Sequence, residues 1–190
     1  HSIRRRQRQM CIRDRVKVYS KNVMTKTETD PSTGNTILTL MDQHTGDAVV
    51  TETNLVSGTV TVANVAKYES AAPVVVLAST GTRVVDPNTK VVTVVLDTLD
   101  ASGIATGASE TIVTAADGVV TTSQKDASGA STLSSNSFVE NDGTQVLIET
   151  ASGVTTETIT NLDGTKKIFV TDGSTVTVSE MVYLSLIHIS

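Results

Sequence analysis

The chain has 190 residues, 38% of them hydrophobic and 18% charged, with no Trp, one Cys and a formal net charge of −5. That composition fits one or two globular domains and excludes collagen, coiled coil and disulfide scaffold. The longest apolar stretches, such as Val74-Val75-Val76-Leu77-Ala78, have strand length and fall short of the roughly 18 to 20 residues that span a bilayer, so no membrane span is expected.

The two ends stand apart from the rest. Met10-Cys11-Ile12-Arg13-Asp14-Arg15 can be written ATG TGT ATA AGA GAC AG, whose reverse complement opens CTG TCT CTT ATA CAC AT and encodes Leu-Ser-Leu-Ile-His-Ile, the residues at 184–189. Residues 1–15 and 184–190 therefore resemble a translated transposase adapter of the kind used in sequencing libraries, and Arg5-Arg6-Gln7-Arg8-Gln9 fits its primer extension. The competing reading is a basic N-terminal arm for nucleic acid or a membrane surface. Setting the ends aside removes six Arg and one Asp and leaves nine Lys or Arg against nineteen Asp or Glu in an acidic insert, 16–183. Nine dispersed positive charges do not displace counterions from a phosphate backbone, so nucleic acid is not an expected partner. The insert holds no Cys and one His, His44, which leaves transition-metal coordination and cysteine chemistry without residues. An insert open at both ends does not show its true termini, so the absence of a signal peptide or anchor from it is no sign of a cytoplasmic protein.

Thr and Val supply 60 of the 168 insert residues, and both are β-branched types that suit a pleated, half-buried surface. Glycines at 34, 46, 58, 81, 103, 107, 118, 129, 143, 153, 164 and 173 each follow Thr, Ser or Asp. Such a ladder reads as β-turns, with the Asp-Gly pairs as two-residue type I′ hairpin turns. Glu69-Ser70-Ala71-Ala72-Pro73 and Asp86-Pro87-Asn88-Thr89 fill its two gaps. The expected class is all-β: an antiparallel β-hairpin repeat array of about a dozen strands, as an extended sheet or β-solenoid, the alternative being two small β-sandwiches.

Residues 16–100 read as a β-domain with the more apolar strands. Val74-Val75-Val76-Leu77-Ala78 and Val91-Val92-Thr93-Val94-Val95-Leu96 look like strands covered on both faces. Residues 101–183 form a Thr-rich β-repeat region. Asp-Gly at 117–118, 142–143 and 163–164 alternates there with Ser-Gly at 128–129 and 152–153, a two-strand unit of about 21 to 25 residues. The segment 127–136, rich in Ser, Ala and Gly, is the best candidate for a flexible loop.

Asp142-Gly143-Thr144, Asp163-Gly164-Thr165 and the Thr-rich strands between them resemble the β-repeat arrays of bacterial-type cell-surface proteins, tyrosine-aspartate repeats and large adhesins included. The resemblance covers about the last 70 residues of the insert. It departs from both specific patterns, since no Tyr-Asp dipeptide and no Gly-Gly-x-Gly-x-Asp calcium repeat occurs. What it implies is extracellular or cell-surface display.

Candidate chemistry is sparse. Asp42-Gln43-His44-Thr45-Gly46-Asp47 is the one titratable cluster with a His, placed on a turn and lacking a nucleophile elbow, so no catalytic residue and no enzyme is expected. Asn141-Asp142-Gly143, Asp163-Gly164 and Asp172-Gly173 offer oxygen ligands to calcium, the one cofactor worth weighing, although the same pairs serve turn chemistry first. Thr25-x-Thr27-x-Thr29, Thr51-x-Thr53, Thr59-x-Thr61, Thr156-x-Thr158-x-Thr160 and Thr175-x-Thr177 line strand faces and resemble ice-binding faces or, more simply, solvent faces. Tyr19, Tyr68, Phe138, Phe169 and Tyr183 are the insert's aromatic rings for stacking on sugars. No Asn of the insert begins an N-glycosylation acceptor. The expected function is a structural or adhesive segment of a larger secreted or cell-surface protein, its partners a surface ligand or neighbouring repeats. The alternative is a non-catalytic carbohydrate- or calcium-binding module attached to an enzyme.

Overall fold

Glycine can take a positive φ without steric penalty, and the loops are built around that property. Four loops, 30–35, 42–47, 54–59 and 86–91, share one six-residue design. The fifth residue donates its N–H to the first carbonyl at 2.8–2.9 Å, and the first donates to the sixth. Asp30, Asp42, Asn54 and Asp86 then accept the N–H of the residue two places on at 2.7–2.9 Å. The hydroxyls of Thr33, Thr45, Ser57 and Thr89 take the N–H of the sixth residue. Gly34, Gly46 and Gly58 hold the left-handed fifth position, and Lys90 holds it in the fourth loop at φ 61°.

Five further loops, 100–104, 115–119, 126–130, 140–144 and 161–165, are one residue shorter. The fourth residue, always Gly at positive φ, donates to the first carbonyl at 2.9–3.0 Å. That is a three-residue hairpin connection, a type I turn followed by a left-handed glycine. Asp117-Gly118, Asp142-Gly143 and Asp163-Gly164 are therefore not type I′ turns. One left-handed residue suffices in this loop, so the Asp keeps a negative φ and its carboxylate accepts the N–H two places on, from Val119, Thr144 and Thr165 at 2.8–3.1 Å. The pair with positive φ at both positions, as type I′ demands, is Ser152-Gly153 (51° and 81°).

The computed structural model describes residues 19–20 and 23–181; the adapter-like ends 1–15 and 184–190, with Tyr183, lie outside the described residues. Between the loops run β1 (Tyr19–Ser20), β2 (Val23–Thr29), β3 (Thr36–Asp42), β4 (Ala48–Thr53), β5 (Thr59–Ala66), β6 (Val74–Val85) and β7 (Val92–Leu99). After them come β8 (Ala105–Thr114), β9 (Val120–Lys125), β10 (Ser131–Val139), β11 (Gln145–Ala151), β12 (Val154–Thr160), β13 (Lys166–Asp172) and β14 (Thr175–Met181). Their hydrogen-bonded order is the order of the chain, an open antiparallel sheet with no helix among the described residues. The fold class is all-β, a meander of hairpins and not a pair of sandwiches. Two compact units divide it: one reaches to Val84 and takes in Val94–Gly107, and the other holds Val85–Thr93 and continues from Ala108.

In the first unit, the register Met24↔Met41↔Ala48↔Val65 carries one apolar rung across β2 to β5. All four residues are buried, and Val50 and Tyr68 pack against the Met24, Met41 and Ala48 cluster. The loop after β5 folds Tyr68 back onto this face. Tyr68 N–H donates to Gly46 at 2.9 Å, Lys67 N–H to Asp47 Oδ1 at 3.1 Å, and Tyr68 Oη stands 3.5 Å from Oγ1 of the fully buried Thr39. A register shift between Val62 and Ala63 bends the β5–β6 ladder.

The apolar run Val74 to Leu77 is not covered on both faces. Its side chains are 42–62% exposed, because β6 pairs laterally and no second layer of described residues lies over it. In the second unit, β8 to β14 pair in unbroken antiparallel succession, and Val146 is buried opposite Phe138 and Ile159. Most of 127–136, expected as a loose loop, is strand. Residues 126–130 form a loop of the shorter design, and β10 is paired on both sides with one bulge between Ser131 and Leu133. Asn136 on it finds a cross-strand partner that composition alone does not reveal, Thr121 Oγ1 donating to its Oδ1 at 2.9 Å.

Candidate functional site

The loop 42–47 presents His44 to solvent. Asp42, the carboxylate beside it in sequence, spends Oδ1 on the backbone N–H groups of His44 (2.7 Å) and Thr45 (3.3 Å). Asp47 holds Lys67 N–H. The two carboxylates are thus spent on backbone N–H groups that hold the loops. Beside the loop lies an open hollow of about 700 Å³ whose lining includes Leu40, Val49 and Asn64, with Asp42 and Asp47 from the loop. Leu40, Val49 and Asn64 share a rung of the sheet on the face opposite the Met24 rung.

The carboxylates proposed for calcium are not brought together. Asp142 and Asp163 sit in loops at one end of the second unit's hairpins, Asp172 at the other, and no group of three or more His, Cys, Asp or Glu side chains converges among the described residues. Backbone N–H from Thr144 holds the Asp142 carboxyl below its ordinary range, and the hydroxyl of Thr165 does the same for Asp163, followed by the Thr165 N–H.

Most of the Thr residues paired along strands have apolar or acidic neighbours across them. Thr25 and Thr27 face Leu40 and Leu38; Thr156 and Thr158 lie between Glu149 and Val170 and between Leu147 and Ile168. Thr51 and Thr53 stand beside Val62 and Val60, Thr61 beside Glu52, and Thr177 beside Val170. Hydroxyl meets hydroxyl only where Thr59 and Thr61 stand beside Thr82 and Thr80 and where Thr29, Thr36 and Thr53 form a short rung, so these along-strand pairs build small patches.

Hydroxyls do align across the strands. Thr111↔Ser123↔Ser134↔Thr150↔Thr155↔Thr171 is one continuous rung over β8 to β13. Neighbouring strands stand about 4.8 Å apart, so the rung is a line of hydroxyls at that repeat. Thr150 and Thr155 are already bonded to each other, Oγ1 to Oγ1 at 3.0 Å. Phe169 is two residues from Thr171 on β13, and Phe138 four residues from Ser134 on β10, so both rings share the face of the rung. Of the other aromatic residues, Tyr68 is engaged with the first unit's core and Tyr19 belongs to β1. Sequence periodicity missed this rung because its members are separated by 5 to 16 positions, and only the loop lengths and the bulge in β10 bring them into line.

No family model matches the chain, and neither the curated proteins nor the solved structures include a match to it.

Proposed function

We propose that the chain is a structural or adhesive β-repeat segment of a larger secreted or cell-surface protein, with the hydroxyl rung from Thr111 to Thr171 as its contact surface. The observation that carries this reading is the rung itself: six hydroxyl side chains on six consecutive strands. A line of donors and acceptors repeating at about 4.8 Å suits a polymer that repeats its own hydroxyls better than one small molecule. The meander supports the structural half. Each hairpin pairs with its predecessor and successor, so units add along the chain without disturbing earlier ones. This role is non-enzymatic.

A second reading, a non-catalytic carbohydrate-binding module attached to an enzyme, is favoured by Phe138 and Phe169 on the same face, since a phenyl ring stacks on a sugar while hydroxyls bond its edge. One depletion experiment separates the two. The chain is mixed with insoluble polysaccharides and the protein left in solution is measured, beside a Thr150→Val/Thr155→Val variant and a Phe169→Ala variant. Binding lost with the hydroxyls alone is the adhesive outcome; binding lost with Phe169 is the module. A chain that no polymer depletes has no adhesive rung, and thermal hysteresis would then assign the rung to ice.

A further inference from the structure

We propose that Asp172-Gly173 is a site of spontaneous backbone modification, at which the folded chain converts an aspartate to an isoaspartate. The reaction joins an aspartyl carboxyl to the amide nitrogen of the next residue, and a glycine there leaves the approach open because it has no β-carbon. The Gly173 nitrogen bonds to Cγ of protonated Asp172, the bond from Cγ to its hydroxyl breaks, and the hydroxyl leaves as water with the amide proton. One water molecule then opens the five-membered imide. Added at Cγ, it restores Asp172. Added at the α-carbonyl carbon, it leaves the chain running through Cγ, with one extra methylene in the backbone and a free α-carboxyl. The water released in the first step equals the water taken up in the second, so the mass is unchanged and no other reactant enters.

The sequence holds four Asp-Gly pairs, and the structure sets this one apart. In Asp117-Gly118, Asp142-Gly143 and Asp163-Gly164 both reacting groups are held. The Gly N–H donates to the carbonyl of Ala115, Glu140 and Asn161 at 2.9–3.0 Å. The Asp Oδ1 accepts the N–H of Val119, Thr144 and Thr165 at 2.8–3.1 Å. Asp172-Gly173 instead opens the two-residue loop between β13 and β14, whose pairing runs up to Asp172↔Thr175. Gly173 takes the first central position at φ 56°, where a type II′ turn places glycine, and the hydrogen bond that closes such a turn does not use the N–H of that position. Among the described residues no acceptor takes the Gly173 N–H and no donor holds the Asp172 carboxylate. Both residues are exposed, and nothing lies within 4 Å of the point a β-carbon on Gly173 would occupy. Ring closure at Asp172 therefore meets open space and two unengaged groups, whereas in the other three loops it must first open two hydrogen bonds.

The test is ageing of the full chain for weeks at neutral pH and physiological temperature, folded and, in parallel, unfolded in guanidinium. Proteolysis and mass spectrometry with fragmentation that distinguishes the β-linked backbone then locate the isoaspartate. In the folded chain it is expected at 172, with about tenfold less or lower still at 117, 142 and 163, where two holding bonds must open first. In guanidinium the four pairs are expected to age at comparable rates, since each has glycine as its next residue. Asp172→Glu keeps the charge but would have to close a six-membered ring; it is expected to leave position 172 unmodified at an unchanged melting temperature. A methyltransferase that labels the free α-carboxyl of isoaspartate is expected to mark aged wild type and to lose most of that label in the variant. A folded chain whose position 172 stays α-linked overturns the proposal, as does one that ages equally at all four pairs or fastest at a held one. The same preference for 172 in guanidinium also overturns it, because the fold would then not be what selects the site.

Discussion

The carbonyl oxygen of Val95 lies 1.8 Å from the point a β-carbon on Gly81 would occupy, with the Val95 carbonyl carbon at 2.8 Å and the Leu96 Cα at 2.9 Å. No side chain fits there without displacing backbone, so Gly81 is required by the approach of β7 to β6. Gly81→Ala is expected to destabilise the chain by about 3 kcal/mol or more, at the upper end of overpacking. Gly103 provides the contrast: nothing stands within 4 Å of its missing β-carbon, and its φ of +77° is the sole obstacle. Gly103→Ala is expected to cost about 1 to 2 kcal/mol. Urea unfolding of both variants checks the order; equal losses would refute the close approach.

Lys90 occupies the left-handed position that glycine holds in the three sister loops. Its ammonium reaches Pro87 O at 2.7 Å, an exposed bond that returns little. Lys90→Gly relieves the strained φ and is expected to stabilise by about 1 kcal/mol, read as a higher urea midpoint at unchanged slope. Lys90→Ala keeps the strain and loses the bond, and is expected to show no gain.

Much of the fold is legible in the sequence because the loops are local. Asp or Asn first and Thr or Ser before Gly, as in Asp30 with Thr33-Gly34, announce the six-residue loop through bonds spanning two to five residues. Turn type is less legible. Asp142-Gly143 is compatible with two loop lengths, and Glu140 N–H to Thr144 O at 2.8 Å selects the longer. Burial is less legible still, since Val74 to Leu77 carry the composition of a covered strand and lie in an uncovered one. The hydroxyl rung was invisible because it is a property of register: Ser134 stands beside Thr150 on one side and Ser123 on the other only after the bulge between Ser131 and Leu133 has shifted the pairing.

Tyr68 is the lid of the first unit's core. Tyr68→Ala uncovers Thr39, Met24 and Met41 and is expected to cost about 2 to 3 kcal/mol, somewhat below a fully buried aromatic truncation because the ring is half-buried. Tyr68→Phe keeps the packing and removes only the hydroxyl at 3.5 Å from Thr39, so a loss under about 0.5 kcal/mol is expected. A large loss in the Phe variant would mean that the hydroxyl, and not the ring, holds the loop over the core.

Turn carboxylates are expected to contribute to the fold's sensitivity to acid. The carboxyls of Asp30, Asp86, Asp126, Asp142 and Asp163 all lie below their ordinary value of 3.8. The largest cause is a backbone N–H, from Ser32, Asn88 and Thr144, for Asp30, Asp86 and Asp142. For Asp126 and Asp163 it is the hydroxyl of Ser128 and of Thr165. A carboxyl that binds its proton less tightly when folded favours folding in full above the unfolded value. That contribution fades as pH falls from there through the lower folded values. The melting temperature is thus expected to be level from about pH 7 to about pH 5 and to fall below about pH 4. Asn at all five positions keeps a side-chain oxygen acceptor and removes the titration, so the fivefold Asp→Asn variant should lose less melting temperature between about pH 5 and about pH 2 than wild type. Parallel curves for the two proteins would show that acid acts elsewhere in the fold.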